Sequence, residues 1–175
     1  MRLFFSLFLF FSMPLCSVTT YTVTVATDSL VPNGSFSSGT NTGDLRGCLN
    51  AVNKGAPGTY IIAFSSAVSS AITLSGMLPL LNLTQSSNIL TVDGSGATGG
   101  VVTISGASTY PGFFAYQGTV TLQNLTVENV LSQGGHGSGG GLGAGAGLFI
   151  GKNAAVTINN FTINTGVATG GNGGF

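Results

Sequence analysis

Charge is the scarcest commodity in this 175-residue chain, which has four Lys or Arg, four Asp or Glu, one His and a formal net charge of zero. No basic face can be assembled to hold a nucleic-acid backbone. Tryptophan is missing and cysteine occurs only at Cys16 and Cys48. Two cysteines exclude a disulfide-dense scaffold, and cleavage after Cys16 would leave no internal disulfide. The better reading of Cys48 is a small apolar residue in a core. A catalytic thiol wants a histidine partner, and the one histidine, His136, sits in a glycine-rich stretch. The carboxylates Asp28, Asp44, Asp93 and Glu128 are far apart in sequence, whereas glycosidic hydrolysis needs two that face each other. These residues form no catalytic constellation and no cofactor or metal site, so the chain reads as a non-enzyme.

Long apolar runs are missing too, except at the start. Met1-Arg2-Leu3-Phe4-Phe5-Ser6-Leu7-Phe8-Leu9-Phe10-Phe11 leads to a break at Pro14. A positive start, a short apolar middle and that break make a secretory signal peptide, expected over residues 1–17. The run falls short of the ~20 residues a bilayer span takes. A lipid anchor on Cys16 is disfavoured by bulky Leu15 before it. The expected mature chain has no transmembrane segment and is secreted.

What is abundant is glycine, at 29 positions, and short Thr-rich pieces. Thr20-Tyr21-Thr22-Val23-Thr24-Val25 alternates with period two and reads as a strand. Asp28–Thr42 reads as loop. Gly43–Gly55 is the one helical candidate: Asp44 can cap it, Leu45, Cys48, Leu49 and Val52 share a face, and Gly55 suits its end. So short a helix is marginal alone and needs a surface to cover, such as the end of a stack of strands. Residues 18–58 therefore form an N-terminal strand and helical cap.

From Tyr60 onward short strands alternate with turns, at Tyr60–Phe64, Ala71–Leu74, Ile89–Val92, Val101–Ile104 and Phe113–Tyr116. Then the text repeats. Val120-Thr121-Leu122-Gln123-Asn124-Leu125-Thr126-Val127 returns 36 residues later (156 minus 120) as Val156-Thr157-Ile158-Asn159-Asn160-Phe161-Thr162-Ile163. Gly134-Gly135-His136-Gly137 returns as Gly170-Gly171-Asn172-Gly173. Such a repeat is one structural unit used again. The unit reads as one coil of three short strands, Phe113–Tyr116, Val120–Leu122 and Leu125–Val127, plus a glycine-rich loop at 130–147, with one extra residue in the first turn of the second copy. Apolar-in, Thr-out alternation with almost no helix predicts an all-β coil of short strands whose equivalents stack in register over residues 59–175, with a short helix covering its N-terminal end.

The chain resembles a known group at these places. Gly43-Asp44-Leu45-Arg46-Gly47-Cys48-Leu49-Asn50-Ala51-Val52-Asn53 resembles the Leu-Arg-containing cap that opens secreted bacterial parallel β-helices. Gly145-Ala146-Gly147-Leu148-Phe149-Ile150 with Phe161-Thr162-Ile163-Asn164 is similar to the Gly-Gly-apolar and Phe-x-x-Asn repeats of polymorphic outer membrane proteins, which are autotransporter passengers. The resemblance implies a pectin-lyase-like scaffold acting as an adhesin, with a host-cell or extracellular-matrix ligand. It also implies a right-handed parallel β-helix over residues 59–175, a place at a bacterial cell surface or outer membrane (periplasmic if truncated), further coils, and a C-terminal barrel for anchoring. The chain stops where the next coil should begin, so the expectation is a truncated product or a short secreted relative. Two alternatives share the scaffold: a polysaccharide lyase or hydrolase, and an inactive remnant.

Four stretches invite sharper readings. Asp93 in Val92-Asp93-Gly94 is the most enzyme-like acid, but Asp-Gly favours a turn. Gly134-Gly135-His136-Gly137-Ser138-Gly139 approaches a calcium nonapeptide, yet glycine stands where the aspartate ligand belongs. The expectation there is a flexible loop with a solvated His136. Gly139-Gly140-Gly141-Leu142-Gly143 lacks the Gly-Lys-Ser/Thr ending of a phosphate loop. Asn124 and Asn160 are expected to stack in one turn column; they also open Asn-x-Thr sequons, like Asn82, with Asn33 heading a fourth.

Overall fold

The computed structural model describes residues 17–30, 34–84, 88–137 and 139–173. The expected signal peptide, apart from Ser17, and the sequon residue Asn33 lie outside the described residues. The chain is mostly β. Its strands are β1 (Val18–Val23), β2 (Phe36–Ser37), β3 (Thr42–Gly43), β4 (Thr59–Phe64), β5 (Ile72–Thr73), β6 (Leu81–Asn82), β7 (Ile89–Asp93), β8 (Val102–Ser105), β9 (Phe113–Gln133) and β10 (Leu148–Thr169). One helix, α1 (Leu45–Lys54), interrupts them. All strands join one sheet, and every pairing is parallel except that of β2 with β3.

Alternation of apolar and Thr residues underlies β1, β8 and the middles of β9 and β10, and register explains the sheet. Tyr21, Ile62, Val92, Leu122 and Ile158 occupy one register position on five successive strands. Ile72, Ile104, Val127 and Ile163 occupy a second, and Leu81, Ala115 and Ile150 a third. The core is made of these columns: Ile62, Val92, Leu122, Ile72, Ile104 and Val127 are fully buried. Each such side chain contributes about 1.5–3 kcal/mol relative to its exposed state.

The long strand β9 has three partners in turn. Leu81 and Asn82 of β6 pair with its Ala115 and Gln117, β7 pairs with Thr119–Gln123, and β8 pairs with Leu125–Glu128. The junctions fall at residues with left-handed backbone: Gly118 at φ 104°, Asn124 at 55° and Asn129 at 48°. Asparagine tolerates that region far better than β-branched residues do. In β10 the equivalent of Asn129 is Thr165, at φ 52°. Its hydroxyl holds that conformation by accepting from Asn129 N and donating to Asn129 Oδ1, each at 2.9 Å.

Helix α1 forms as its pattern predicts. Asp44 caps it by accepting from Gly47 N at 2.7 Å, and Leu45, Cys48, Leu49 and Val52 are buried. It packs on β1 to β4 and on β6, at the N-terminal end of the strand order. Gly55 closes the helix, but at φ −68° rather than in a left-handed cap.

Three expectations need correction. The glycine-rich loop does not begin at Val130, because Val130–Gln133 continues β9 and pairs with Gly166–Thr169. The separate short strands of each repeat run together as β9 and β10, since the ladder continues through the Asn corners. The Asp28–Thr42 stretch, read as loop, contains β2 and the first residue of the two-residue β3 that pairs with it. The extra residue expected in the second copy is present as a register shift between Ile150 and Asn153.

Candidate functional site

The four acids do not gather. Asp28 is buried and grips Arg46 through two contacts of 2.7 Å, Nε to Oδ1 and Nη2 to Oδ2. Arg46 also donates to the carbonyls of Gly76 and Met77, and Asp28 accepts from Ser75 N. This buried pair ties the segment after β1, helix α1 and the 75–77 turn together. Breaking such a pair leaves an uncompensated charge in the interior. Asp44 accepts from Ser29 N, Ser35 N and Gly47 N. Both acids therefore serve the N-terminal cap. Arg46 was legible only as part of the cap resemblance; its partner, 18 residues earlier, carried no local signal.

Asp93 sits in the turn expected of it, accepting from Ser95 N at 2.9 Å and Asn124 Nδ2 at 2.8 Å. Burial pushes its carboxyl upward, but hydrogen bonds from Asn124, Ser95 and Gln123 outweigh that and hold it below its ordinary value. Asn160 Nδ2 donates in turn to Asn124 Oδ1 at 2.9 Å. The result is a ladder, Asp93–Asn124–Asn160, that crosses three neighbouring strand segments. The expected stacking of Asn124 on Asn160 is present, with Asp93 as its unforeseen first rung.

Cys48 lies fully buried in the core, and burial together with nearby Asp44 pushes its thiol up to about 12. The thiolate needed for nucleophilic chemistry is thereby suppressed. His136 is exposed, and its Nδ1 accepts from Asn172 N at 3.0 Å. It works as a contact between the two glycine stretches. Among the described residues no three His, Cys, Asp or Glu side chains cluster as metal ligands.

The glycine stretches are packed, backbone against backbone. Gly141 N donates to Gly135 O and Gly171 N to Gly141 O, each at 2.7 Å, and Gly137 bridges to Gly173. A Cβ on Gly171 would lie 1.9 Å from Gly135 O. Glycine is required by this close approach, which differs from the flexible loop expected.

Where this glycine segment turns back toward β10, it walls a groove of about 230 Å³. Met77, Leu78, Pro111, Phe114, Leu142 and Phe149 supply most of its apolar lining. Phe114 and Phe149 stack with centroids 4.6 Å apart and planes 7° apart, and Tyr116 continues the row at 6.5 Å. Leu142 is 86% exposed and Met77 60%. Side chains this apolar on a concave surface gain by being covered. The nearest polar group is occupied, since Ser132 Oγ accepts from Ala144 N at 3.2 Å. A second hollow, of about 510 Å³, mixes polar residues (Gln117, Thr119, Lys152 and Asn153) with apolar ones (Leu83, Ala154 and Ala155). The apolar groove is the better candidate for binding, and its chemistry suits an apolar group without acid–base work. Periodicity identified the glycine segment and the row Phe113–Tyr116, but not their juxtaposition with Met77 and Leu78.

Comparison with known proteins returns no matching family model, no matching curated protein and no matching solved structure. No helix among the described residues is long and apolar enough to cross a membrane.

Proposed function

We propose that the chain is a right-handed parallel β-helix of the autotransporter-passenger type, secreted or held at a bacterial surface, that binds a host-cell or extracellular-matrix ligand. Three features support the helix. Apart from β2 with β3 the strands pair in parallel, and the two repeats keep one offset, β9 and β10 running 36 residues apart from Asn153 onward. Left-handed corners separate the segments of β9. The columns of apolar residues and the Asn ladder link each segment to its equivalent in the next. Crossovers between parallel strands are right-handed in the great majority of folds, which supports the right-handed reading.

The observation that carries the binding role is the apolar groove beneath the glycine segment, with the Phe114–Phe149 stack as its floor. It takes an apolar side chain or ring of the ligand. Irregular segments displayed on a regular scaffold are where binding residues concentrate. The assignment of a surface ligand rests on the resemblance in fold and motif, which is an analogy. Purified Val18–Phe175 is expected to bind cultured cells or matrix proteins saturably, and Leu142→Asp to weaken that binding while circular dichroism is unchanged. Absence of saturable binding overturns the proposal.

A further inference from the structure

Sulfur is rare in this chain and unevenly placed. There are three methionines and two cysteines, of which Met1, Met13 and Cys16 lie in the expected signal peptide. The described residues hold the other two sulfurs, Cys48 and Met77. Cys48 is fully buried, and its thiol is pushed up to about 12. The thiolate that an oxidant attacks is therefore scarce and out of reach. Met77 is the opposite case. It is 60% exposed, and a thioether has no proton to lose before it reacts. A two-electron oxidant meeting the folded chain finds one open sulfur among the described residues.

That sulfur sits at the groove. Met77 lines the apolar groove whose floor is the Phe114–Phe149 stack, and Ser132 is the one polar side chain among the described residues of that lining. Met77 also lines a neighbouring hollow of about 440 Å³ with Thr109, Tyr110 and Leu131, so it stands where the two meet. Its backbone is fixed. Arg46 donates from Nη1 to Met77 O and from Nη2 to Gly76 O, while Asp28 holds the same guanidinium. A change at the Met77 sulfur thus alters the chemistry of the groove and not the turn that carries it. We propose that Met77 is an oxidation-sensitive switch on this groove: conversion of its thioether to the sulfoxide releases the bound apolar group, and reduction restores the site. The inference rests on the binding role proposed for the groove above.

The step balances with a peroxide as the oxidant. Hydrogen peroxide gives one oxygen atom to the sulfur: its O–O bond breaks, an S–O bond forms, sulfur loses two electrons, and the peroxide leaves as water. A methionine sulfoxide reductase with a dithiol donor reverses it. The dithiol supplies two electrons and two protons, becomes a disulfide, and the oxygen leaves as water. The two forms of the side chain differ in what they tolerate. The thioether is apolar and adapts its shape to what it meets. The sulfoxide oxygen accepts hydrogen bonds, and an apolar group laid over it strands that oxygen away from water.

Purified Val18–Phe175, which holds every described strand and the helix, is titrated with the fluorescent dye anilinonaphthalene sulfonate before and after limited hydrogen peroxide. Peptide masses are expected to place one added oxygen on Met77 and none on Cys48. Dye affinity is expected to fall by about tenfold or more. Methionine sulfoxide reductase with dithiothreitol restores it, and circular dichroism is unchanged throughout. In Met77→Leu the affinity, at whatever level it starts, does not respond to peroxide. Oxygen on Met77 with dye affinity unaltered overturns the switch while leaving the groove in place. So does an equal peroxide response in Met77→Leu, oxidation of Cys48 ahead of Met77, or a loss that the reductase does not reverse. Leu142→Asp reports on the groove itself. Dye bound equally by the unaltered chain and by Leu142→Asp, or by neither, removes the groove reading and the switch with it.

Discussion

β9 and β10 are near-copies in sequence that live in opposite surroundings. Leu122 and Ile158 share a register position, as do Val127 and Ile163. In β9 both are fully buried; in β10 their equivalents are 55% and 50% exposed. The difference does not lie in the residues, because the alternation of apolar and Thr positions is the same. It lies in what covers them. β9 is flanked by β6, β7 and β8 on one side and by β10 on the other, whereas β10 pairs only with β9 among the described residues. Within this sheet a strand's burial is a property of its neighbours as much as of its own residues.

The sharpest way to break that comparison is to truncate the same column twice. Leu122→Ala is expected to cost about 2–5 kcal/mol, because a buried leucine leaves both lost transfer energy and a cavity. Ile158→Ala, at a half-exposed position, is expected to fall within about 0.5 kcal/mol. Urea unfolding midpoints read both. Equal losses would mean that β10 is as well covered as β9.

The glycine segment offers a second contrast of somewhat smaller size. A Cβ on Gly143 would stand 1.9 Å from Thr169 O, while one on Gly135 meets nothing within 4 Å. Gly143→Ala is expected to destabilise by about 1–3 kcal/mol through overpacking against fixed backbone. Gly135→Ala is expected to be close to neutral in the same unfolding assay. If the segment were a loose loop, neither substitution would register.

How much of this was legible beforehand divides along a physical line. Local pattern reveals what local physics decides. The alternation in Thr20–Val25 and Val120–Val127 announces β1 and the middle of β9. Asp44 with Leu45, Cys48, Leu49 and Val52 announces α1, and the 36-residue repeat announces the pairing of β9 with β10. Contacts between distant segments leave no such trace. Nothing near Arg46 marks Asp28 as its partner, and nothing near Phe114 marks Met77 as its companion in the groove. Glycine misled in a third way. It signals freedom in the unfolded chain, but at Gly134, Gly141 and Gly171 it answers to backbone crowding that only the folded arrangement creates. His136 likewise reads as a solvated loop residue until Asn172, from the next copy, is seen to donate to it.

A third, smaller contrast runs along the polar ladder. Asn124 and Asn160 both hold left-handed backbone, at φ 55° and 46°, so alanine costs each the same conformational term, roughly 1–2 kcal/mol. They differ in partners. Asn124 donates to Asp93 and accepts from Asn160, while among the described residues the Asn160 side chain, at the edge, bonds Asn124 alone. Asn124→Ala is therefore expected to exceed Asn160→Ala by about 0.5–1.5 kcal/mol in thermal or urea unfolding. Equality would show that the inner rung carries no more than the outer.

The smallest effect is the most specific, because it titrates. Asp93 has a carboxyl held below its ordinary value: burial raises it, but the hydrogen bonds from Asn124, Ser95 and Gln123 prevail. A group whose folded value is depressed contributes stability above its unfolded value, about 3.9 for aspartate. That contribution is lost as pH falls through the folded value. Stability should thus decline on the acid side of ~4, and Asp93→Asn should flatten that part of the profile. Asn124→Ala removes one of the bonds that depress the group, so its acid decline should be shallower than that of the unaltered chain. Asn160→Ala touches no atom of Asp93 and should leave the slope as it was. Urea midpoints at pH ~5 and ~3 separate these cases. If Asn160→Ala flattened the slope as much as Asn124→Ala, the ladder would transmit its effect along its length, and the inner and outer repeats would be coupled more tightly than nearest-neighbour packing requires.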